Sequence, residues 1–255
     1  YSICKGVTIL GLGERNLIRI KCNKYGHMIM SELEKTVMDC RKQNIGIVAV
    51  IGVAGTTSSG NIDPLNEIGE FCEENKIYFH VDAAWGGAVV FSEKYKHLLQ
   101  GIQYADSITI DGHKQLYTPM GCGIVLFREL ETAKRIQKNS TYILRQNSAD
   151  LGKYTMEGSR PAVALYLHAS FNLLGKKGYS CLINHGIEMI KFAAEQINGI
   201  ENAELIGVPE INILNYRYIP TDLIEKWEQE ILTEEDEDTI SYYNRMIQKY
   251  EREEN

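Results

Sequence analysis

The sequence predicts an α/β fold, a mostly parallel sheet flanked by helices, and three observations carry that reading. Short apolar runs at residues 45–51, 76–81 and 107–110 are each bounded by polar or glycine-rich turns, the pattern of buried strands. Between the first two lies residues 64–75, where Leu65, Ile68 and Phe71 recur at helical spacing. Each strand also runs into a turn bearing a chemically capable side chain: Thr57, Asp82 and Lys114. Strands alternating with helices build βαβ units, and open sheets of this kind gather their ligands at the carboxyl edge of the strands.

Taken in order, residues 17–21 (LIRIK) read as a strand, and residues 31–43 as a helix whose Ser31 and Glu34 have the spacing of a capping box. The strand at 45–51, the helix at 64–75 and strands at 77–81, 107–110 and 122–127 complete the core. After Arg128 the pattern turns helical, over 129–138 and 160–198, the second stretch broken around Gly175 and Gly178. Residues 141–157 follow neither period and hold Tyr142 and Tyr154 among polar neighbours; structureless segments of this length are often functional. Ser159 has the position of a cap for the following helix with Pro161 in its first turn, while Arg160 and the backbone N–H groups there equally suit an anion. Beyond Ile200, residues 203–207 and 211–218 read as two antiparallel strands joined by a turn at Pro209. The expected division is a large unit over residues 1–199 and the incomplete beginning of a small unit over residues 200–255.

Composition narrows the classes of function. With 255 residues and 44% hydrophobic content the chain can bury one sizeable core. Residues 222–255 hold twelve Asp or Glu against four Lys or Arg, a net of −8, against −7 for the whole chain, so the acidity lies in the tail. The run Glu234 to Asp238 is read as a solvated helix face rather than as a metal site, and no basic stripe suggests nucleic acid. Six cysteines, at 4, 22, 40, 72, 122 and 181, form no CxxC pair and no zinc spacing, so reduced thiols, no metal and a cytoplasmic setting are expected. No apolar run approaches the ~20 residues that a membrane span needs. His27, His97, His168 and His185 have no partner spacing and are read as structural.

The motifs that carry chemistry are HVDAAWGG at 80–87 and DGHK at 111–114, which place a carboxylate at one strand end and, 32 residues later, a lysine at another. Taken singly, an Asp at a strand end is a turn former or a cap, and a Lys after a His is a surface residue. Together they are what pyridoxal phosphate requires: an amine to hold its aldehyde as a Schiff base, and an anion to keep its ring nitrogen protonated.

The stretches GTTSSGNIDPLNEI, HVDAAWGG, ADSITIDGHK and MGCGIVLF resemble the pyridoxal-phosphate-dependent amino-acid decarboxylases of the glutamate, aspartate, tyrosine and aromatic amino-acid group, over roughly residues 1–220. The resemblance implies the large domain of an aspartate-aminotransferase-like, fold-type I enzyme, with the strand after the lysine antiparallel and a small α+β domain beginning near the end. It implies Lys114 as the Schiff-base lysine, Asp82 as partner of the ring nitrogen, Ala84 beneath the ring, Thr57 beside the ring and Asp82, and His113 and Ser107 near the phosphate. Many relatives have Asn-Pro before His-Lys, whereas this chain has Asp111 and Gly112, and a carboxylate there would repel a phosphate dianion unless it meets another donor.

A further expectation from the resemblance is a homodimer whose loop reaches the neighbouring active site with a tyrosine that protonates the reacting carbon, Tyr154 being preferred here over Tyr142. The implied reaction is loss of carbon dioxide from an L-amino acid, glutamate or aspartate ahead of tyrosine or another aromatic acid. A carbon–carbon lyase of the same cofactor class, or an inactive structural fragment, are the other readings. The chain opens at Tyr1 without an initiator Met, and the resemblance implies a preceding segment with a ring-stacking histidine and a phosphate loop, and more chain after Asn255.

Overall fold

A computed structural model describes residues 1–138, 150–155, 157 and 159–253. Among the described residues the main sheet has four strands in the order β1 (Val50–Val53), β2 (Phe79–Asp82), β3 (Ser107–Asp111) and β4 (Gly123–Phe127). The first three are parallel, and β4 returns antiparallel to β3, as expected. Register sets Val53 beside Asp82 and Asp82 beside Thr109, so the ends of β1 and β2 are level.

The period of two sorts the side chains. Phe79 and Val81 of β2 point into the core at 1% and 0% exposure, each burial contributing about 1.5–3 kcal/mol, while His80 and Asp82 occupy the opposite face. Helix α3 (Leu65–Asn75) covers the apolar face: a Cβ on Gly52 would sit 3.2 Å from Leu65 and from Phe79. Helix α2 (Met30–Lys42) adds Leu33 and Val37 to the same core. Helix α1 (Ser2–Ile9) buries none of its residues. Helix α4 (Leu130–Ile136) follows β4, and the long α5 (Ala164–Asn198) buries Tyr179, Ile183 and Ile187.

Several local expectations need correction. Residues 17–21 form no strand; only an isolated bridge joins Cys22 and Met28, since no neighbouring strand offers a ladder there. Helix α2 starts at Met30, one residue early, so Ser31 lies inside it and makes no cap. Helix α5 starts at Ala164, past Ser159 and Pro161, with Val163 at its cap position. The break in α5 is real and falls at Gly175, where φ is 58° and ψ −176°. The strand expected over 211–218 shrinks to β6 (Tyr216–Tyr218), paired antiparallel with β5 (Ala203–Leu205).

The intervening residues leave the small sheet and pack on the large core, where Ile211 is 1% exposed. A second cluster of Ile219, Leu223, Ile224 and Ile240 joins the short α6 (Ile224–Glu228) to α7 (Glu234–Glu253). The acidic run at the start of α7 is not simply solvated. Asp236 is 8% exposed, accepts from the Lys226 ammonium at 2.9 and 3.0 Å, and closes a capping box with Thr233, while Glu237 pairs with Arg217.

Candidate active site

The site begins where β2 ends. Oδ1 of Asp82 accepts the Ala84 N–H at 3.1 Å, which fixes the carboxylate over its own turn and leaves Oδ2 for a further donor. The turn is held close to its neighbours by backbone bonds: Ala54 N–H donates to Asp82 O at 2.9 Å, and Gly86 N–H donates to Ala54 O at 3.0 Å. That approach requires glycine, because a Cβ on Gly86 would lie 2.5 Å from the Ala54 carbonyl oxygen. Gly55 faces the same junction with φ near +90°.

Lys114 stands on the turn that leaves β3. Its N–H donates to Asp111 O at 3.2 Å, while the Gly112 N–H donates to Cys122 O at 2.8 Å and so closes the turn onto the approach to β4. A Cβ on Gly112 would meet the Cys122 sulfur at 2.8 Å, so that tight closure also needs glycine. The Asp82 and Lys114 turns are joined directly, the Asp111 N–H donating to the Ala84 carbonyl at 3.2 Å. Asp111 is the donor-seeking carboxylate that the sequence left unexplained: its Oδ2 lies 3.0 Å from Lys114 Nζ and 3.7 Å from His113 Nε2. His113 Nδ1 in turn meets the Cys122 carbonyl at 2.9 Å, which orients the ring. The lysine side chain retains 30% exposure, enough for its amine to be reached.

Behind Asp82 on the same face sits His80, a residue that the motif reading passed over. Its Nδ1 meets the Ser107 hydroxyl at 2.8 Å and its Nε2 the Thr109 hydroxyl at 3.4 Å. Burial pushes the imidazole below its ordinary value, against the opposing pull of the Asp82 carboxylate and the Ser107 bond. The period-two alternation H-V-D was the available signal, since it sets His80 and Asp82 on one face.

Of the residues singled out from sequence, the structure brings Asp82, Ala84, His113 and Lys114 to one edge. Ser107 is not among them. It starts β3, at the end away from Asp111, and its hydroxyl is engaged by His80, so the phosphate contact expected of Ser107 is corrected to a contact with His80, behind Asp82. Thr57 is exposed on the turn after β1; it is Thr56 whose hydroxyl binds Ser59 at 2.8 Å and the Asn61 N–H at 3.2 Å within that turn. Tyr154 ends a short 3-10 turn, Leu151–Tyr154, that packs on α4, with the Lys153 ammonium 5.2 Å from its ring centre. Tyr142 lies outside the described residues. Among the described residues no group of three or more His, Cys, Asp or Glu converges as a metal site.

Two further residues complete the edge and were not legible from motifs. Gln115, next to Lys114, is 4% exposed, and its amide donates to Asn212 Oδ1 at 2.8 Å; the same oxygen accepts the Trp85 indole N–H at 2.9 Å. Asn212 comes from nearly a hundred residues downstream, and no local spacing announces it.

The sequence profile of the pyridoxal-dependent decarboxylase conserved domain matches residues 1–219. The chain belongs to that family. It is 43% identical over 258 residues to an aspartate 1-decarboxylase of Aliivibrio fischeri, which covers 99% of this chain and 47% of the relative. It is 33% identical over 230 residues to the acidic amino acid decarboxylase GADL1 of Bos taurus, covering 88% of this chain and 44% of that protein. The apo crystal structure of mouse CSAD superposes with a TM-score of 0.86 at 30% identity, over 95% of this chain and 51% of the other. The chain thus spans about half the length of these relatives.

Proposed function

We propose that this chain carries the cofactor site of a pyridoxal-phosphate-dependent decarboxylase that acts on an acidic L-amino acid, aspartate first and glutamate second. The observation that carries the reading is the meeting of Asp82 and Lys114 at one sheet edge, their turns joined by the 3.2 Å bond from Asp111 N–H to Ala84 O. The donor set fits the cofactor: an accessible amine for the aldehyde, a carboxylate oxygen left over for the ring nitrogen, the small Ala84 beneath the ring, and His113 on the phosphate side. When bound, pyridoxal phosphate supplies a protonated pyridine that takes up the electron pair released as the substrate carboxylate leaves as carbon dioxide.

Each residue then has a definite task. Asp82 holds the proton at the ring nitrogen through a charge-assisted hydrogen bond. Lys114 would hold the cofactor through its ε-amine and serve in release of the amine product. Thr57 and His113 are assigned to the ring side and the phosphate side. Tyr154 is assigned the proton delivered to the α-carbon across a homodimer interface. Exposed apolar side chains beside the lysine turn, Tyr117 and Met120 at 59% and 81%, are of the kind that an interface covers. The same proposal divides the chain at residues 199 and 200, with residues 206–215 reaching back onto the large unit. It sets the protein in the cytoplasm, where the six unpaired thiols persist; among the described residues no helix is long and apolar enough to cross a membrane.

Aspartate leads because the 43% identity to an aspartate 1-decarboxylase runs over 99% of the chain. The test is carbon dioxide release by the intact protein loaded with pyridoxal phosphate, across aspartate, glutamate, 2,4-diaminobutyrate and tyrosine. Release from aspartate is expected, with Lys114→Ala abolishing the absorbance of lysine-bound cofactor and Asp82→Asn lowering turnover by about 10²-fold or more. A normal lysine-bound spectrum in Lys114→Ala, or full turnover in Asp82→Asn, would overturn the site. Release from tyrosine alone would overturn the substrate.

A further inference from the structure

Between β5 and β6 the chain leaves the small sheet and lies across the carboxyl edge of the large one. Three consecutive side chains fasten it there. Glu210 accepts from Asn61 Nδ2 at 3.1 Å and Ile62 N–H at 3.2 Å and pairs with His27. Ile211 enters the main core, where its Cδ1 lies within 2.8 Å of the place a Cβ on Gly55 would take. Asn212 then reaches the two turns that matter. Its Oδ1 accepts from Trp85 Nε1 at 2.9 Å and from Gln115 Nε2 at 2.8 Å. An indole nitrogen can only donate, so the group that Asn212 presents is its carbonyl oxygen, and Gln115 must answer with its NH2. Trp85 stands three residues after Asp82, and Gln115 one residue after Lys114. A single oxygen thus spans both turns from outside the sheet.

We propose that Asn212 is a positioning residue, which fixes the Asp82 turn against the Lys114 turn and thereby sets how tightly lysine-bound cofactor is held. The inference rests on the assignment of Lys114 and Asp82 above. Its physical basis is that Gln115 is 4% exposed, so its amide has little water to turn to when the shared acceptor is removed. The Lys114 turn can then settle the buried Gln115 donor only by moving, and the Asp111 N–H to Ala84 O bond is left to hold the two turns without the second link through Asn212. Asn212→Asp keeps an acceptor oxygen of the same reach, whereas Asn212→Leu keeps the volume and removes it.

The experiment titrates pyridoxal phosphate into the intact protein and reads the absorbance and induced circular dichroism of lysine-bound cofactor, with thermal melting of the cofactor-free protein alongside. Asn212→Leu should weaken cofactor binding by about tenfold and alter the dichroic band, as expected when the buried Gln115 donor is left unpartnered. Asn212→Asp should stay within about threefold of the parent, the charged acceptor serving both donors. Ile211→Ala, which loosens the same segment without touching the bridge, should lower the melting temperature and leave the dichroic band unchanged. Should Asn212→Leu not fold, Trp85→Phe, which removes one donor and keeps an aromatic ring, should show the same weakening to a smaller degree. Parent-like affinity and dichroism in Asn212→Leu or, failing that, in Trp85→Phe would overturn the inference. So would an equal change of the band in Ile211→Ala. Lysine-bound cofactor persisting in Lys114→Ala would instead remove the site assignment beneath it, a separate failure.

Discussion

At the scale of the residue, the candidate site is a carboxylate with a histidine behind it. His80 is partly buried between Ser107 and Thr109, and its burial favours the neutral ring even though Asp82 pulls the other way. The consequence for stability has a definite sign. The unfolded chain takes up a proton near the ordinary value of about 6.5, above the folded value, so the unfolded state binds more protons as pH falls through that range. Stability contributed by His80 is therefore present above about pH 6.5 and declines on acidification toward the lower folded value. His80→Gln should flatten that part of the pH dependence, read as the change in denaturant midpoint between pH 7.5 and 5.5; a slope equal to the parent would show that His80 does not titrate this way. Asp82 and Lys114 were legible in the sequence because each ends an apolar run and each has a chemistry that few other residues share. His80 was hidden because a polar residue inside a strand signals only which face it is on. Ser107 was misplaced because its distance along the strand, which puts it at the far end, outweighs its nearness in sequence to Lys114.

Among the elements, strands were easier to read than helix starts. Apolar runs placed β2, β3 and β4 closely, whereas the strand expected over 45–51 overlaps β1 only at Val50 and Ile51, because residues 45–49 lie outside the sheet, with Ile45 and Val48 at 50% and 76% exposure. Helix starts depend on which residue leaves the helical backbone angles, and a Ser or Thr at the right spacing is only a candidate. Ser31 and Glu34 have capping-box spacing yet lie inside α2, whose cap position is held by Ile29. Thr233 and Asp236 form the box that was not expected. Thr233 Oγ1 accepts the Asp236 N–H at 3.2 Å, Asp236 Oδ2 accepts from the Thr233 N–H at 2.9 Å and from the Thr233 hydroxyl at 2.8 Å, and the Lys226 ammonium with these two Thr233 donors holds the Asp236 carboxyl down to about 2. The acidic residues crowding the first turn of α7 hid this box, although they also suit the positive end of a helix. Thr233→Ala should cost about 1 kcal/mol by chemical denaturation, and Thr233→Ser should recover most of it, since the loss is that of a cap rather than of packing. Equal losses in both variants would assign the effect to the methyl group of Thr233 instead.

For the molecule as a whole, the sequence correctly conveyed an α/β core followed by a small antiparallel pair, and it missed how the two are fastened. The local pattern of residues 206–215 is that of strand and turn, but Glu210, Ile211 and Asn212 spend their side chains on the large core. That docking depends on partners up to 183 residues away, beyond any local period. The thiols report on this arrangement without any cofactor. Cys22 and Cys181 are exposed, whereas Cys40, Cys72 and Cys122 are buried at 5%, 1% and 2%. Burial, aided by the Asp106 charge, also pushes the Cys72 thiol up to about 12, so at pH 8 it is both inaccessible and almost wholly protonated. A thiol reagent reacts with the thiolate, which makes Cys72 doubly protected in the folded protein. Labelling at pH 8 followed by peptide mass mapping should therefore modify Cys22 and Cys181 first, with Cys72 appearing only as denaturant unfolds the main core. Cys122 closes the lysine turn through its carbonyl and stands at the margin of the sheet, so it should become reactive before Cys72 if that turn opens locally. Simultaneous appearance of Cys122 and Cys72 at every denaturant concentration would mean that the lysine turn opens only when the whole core does.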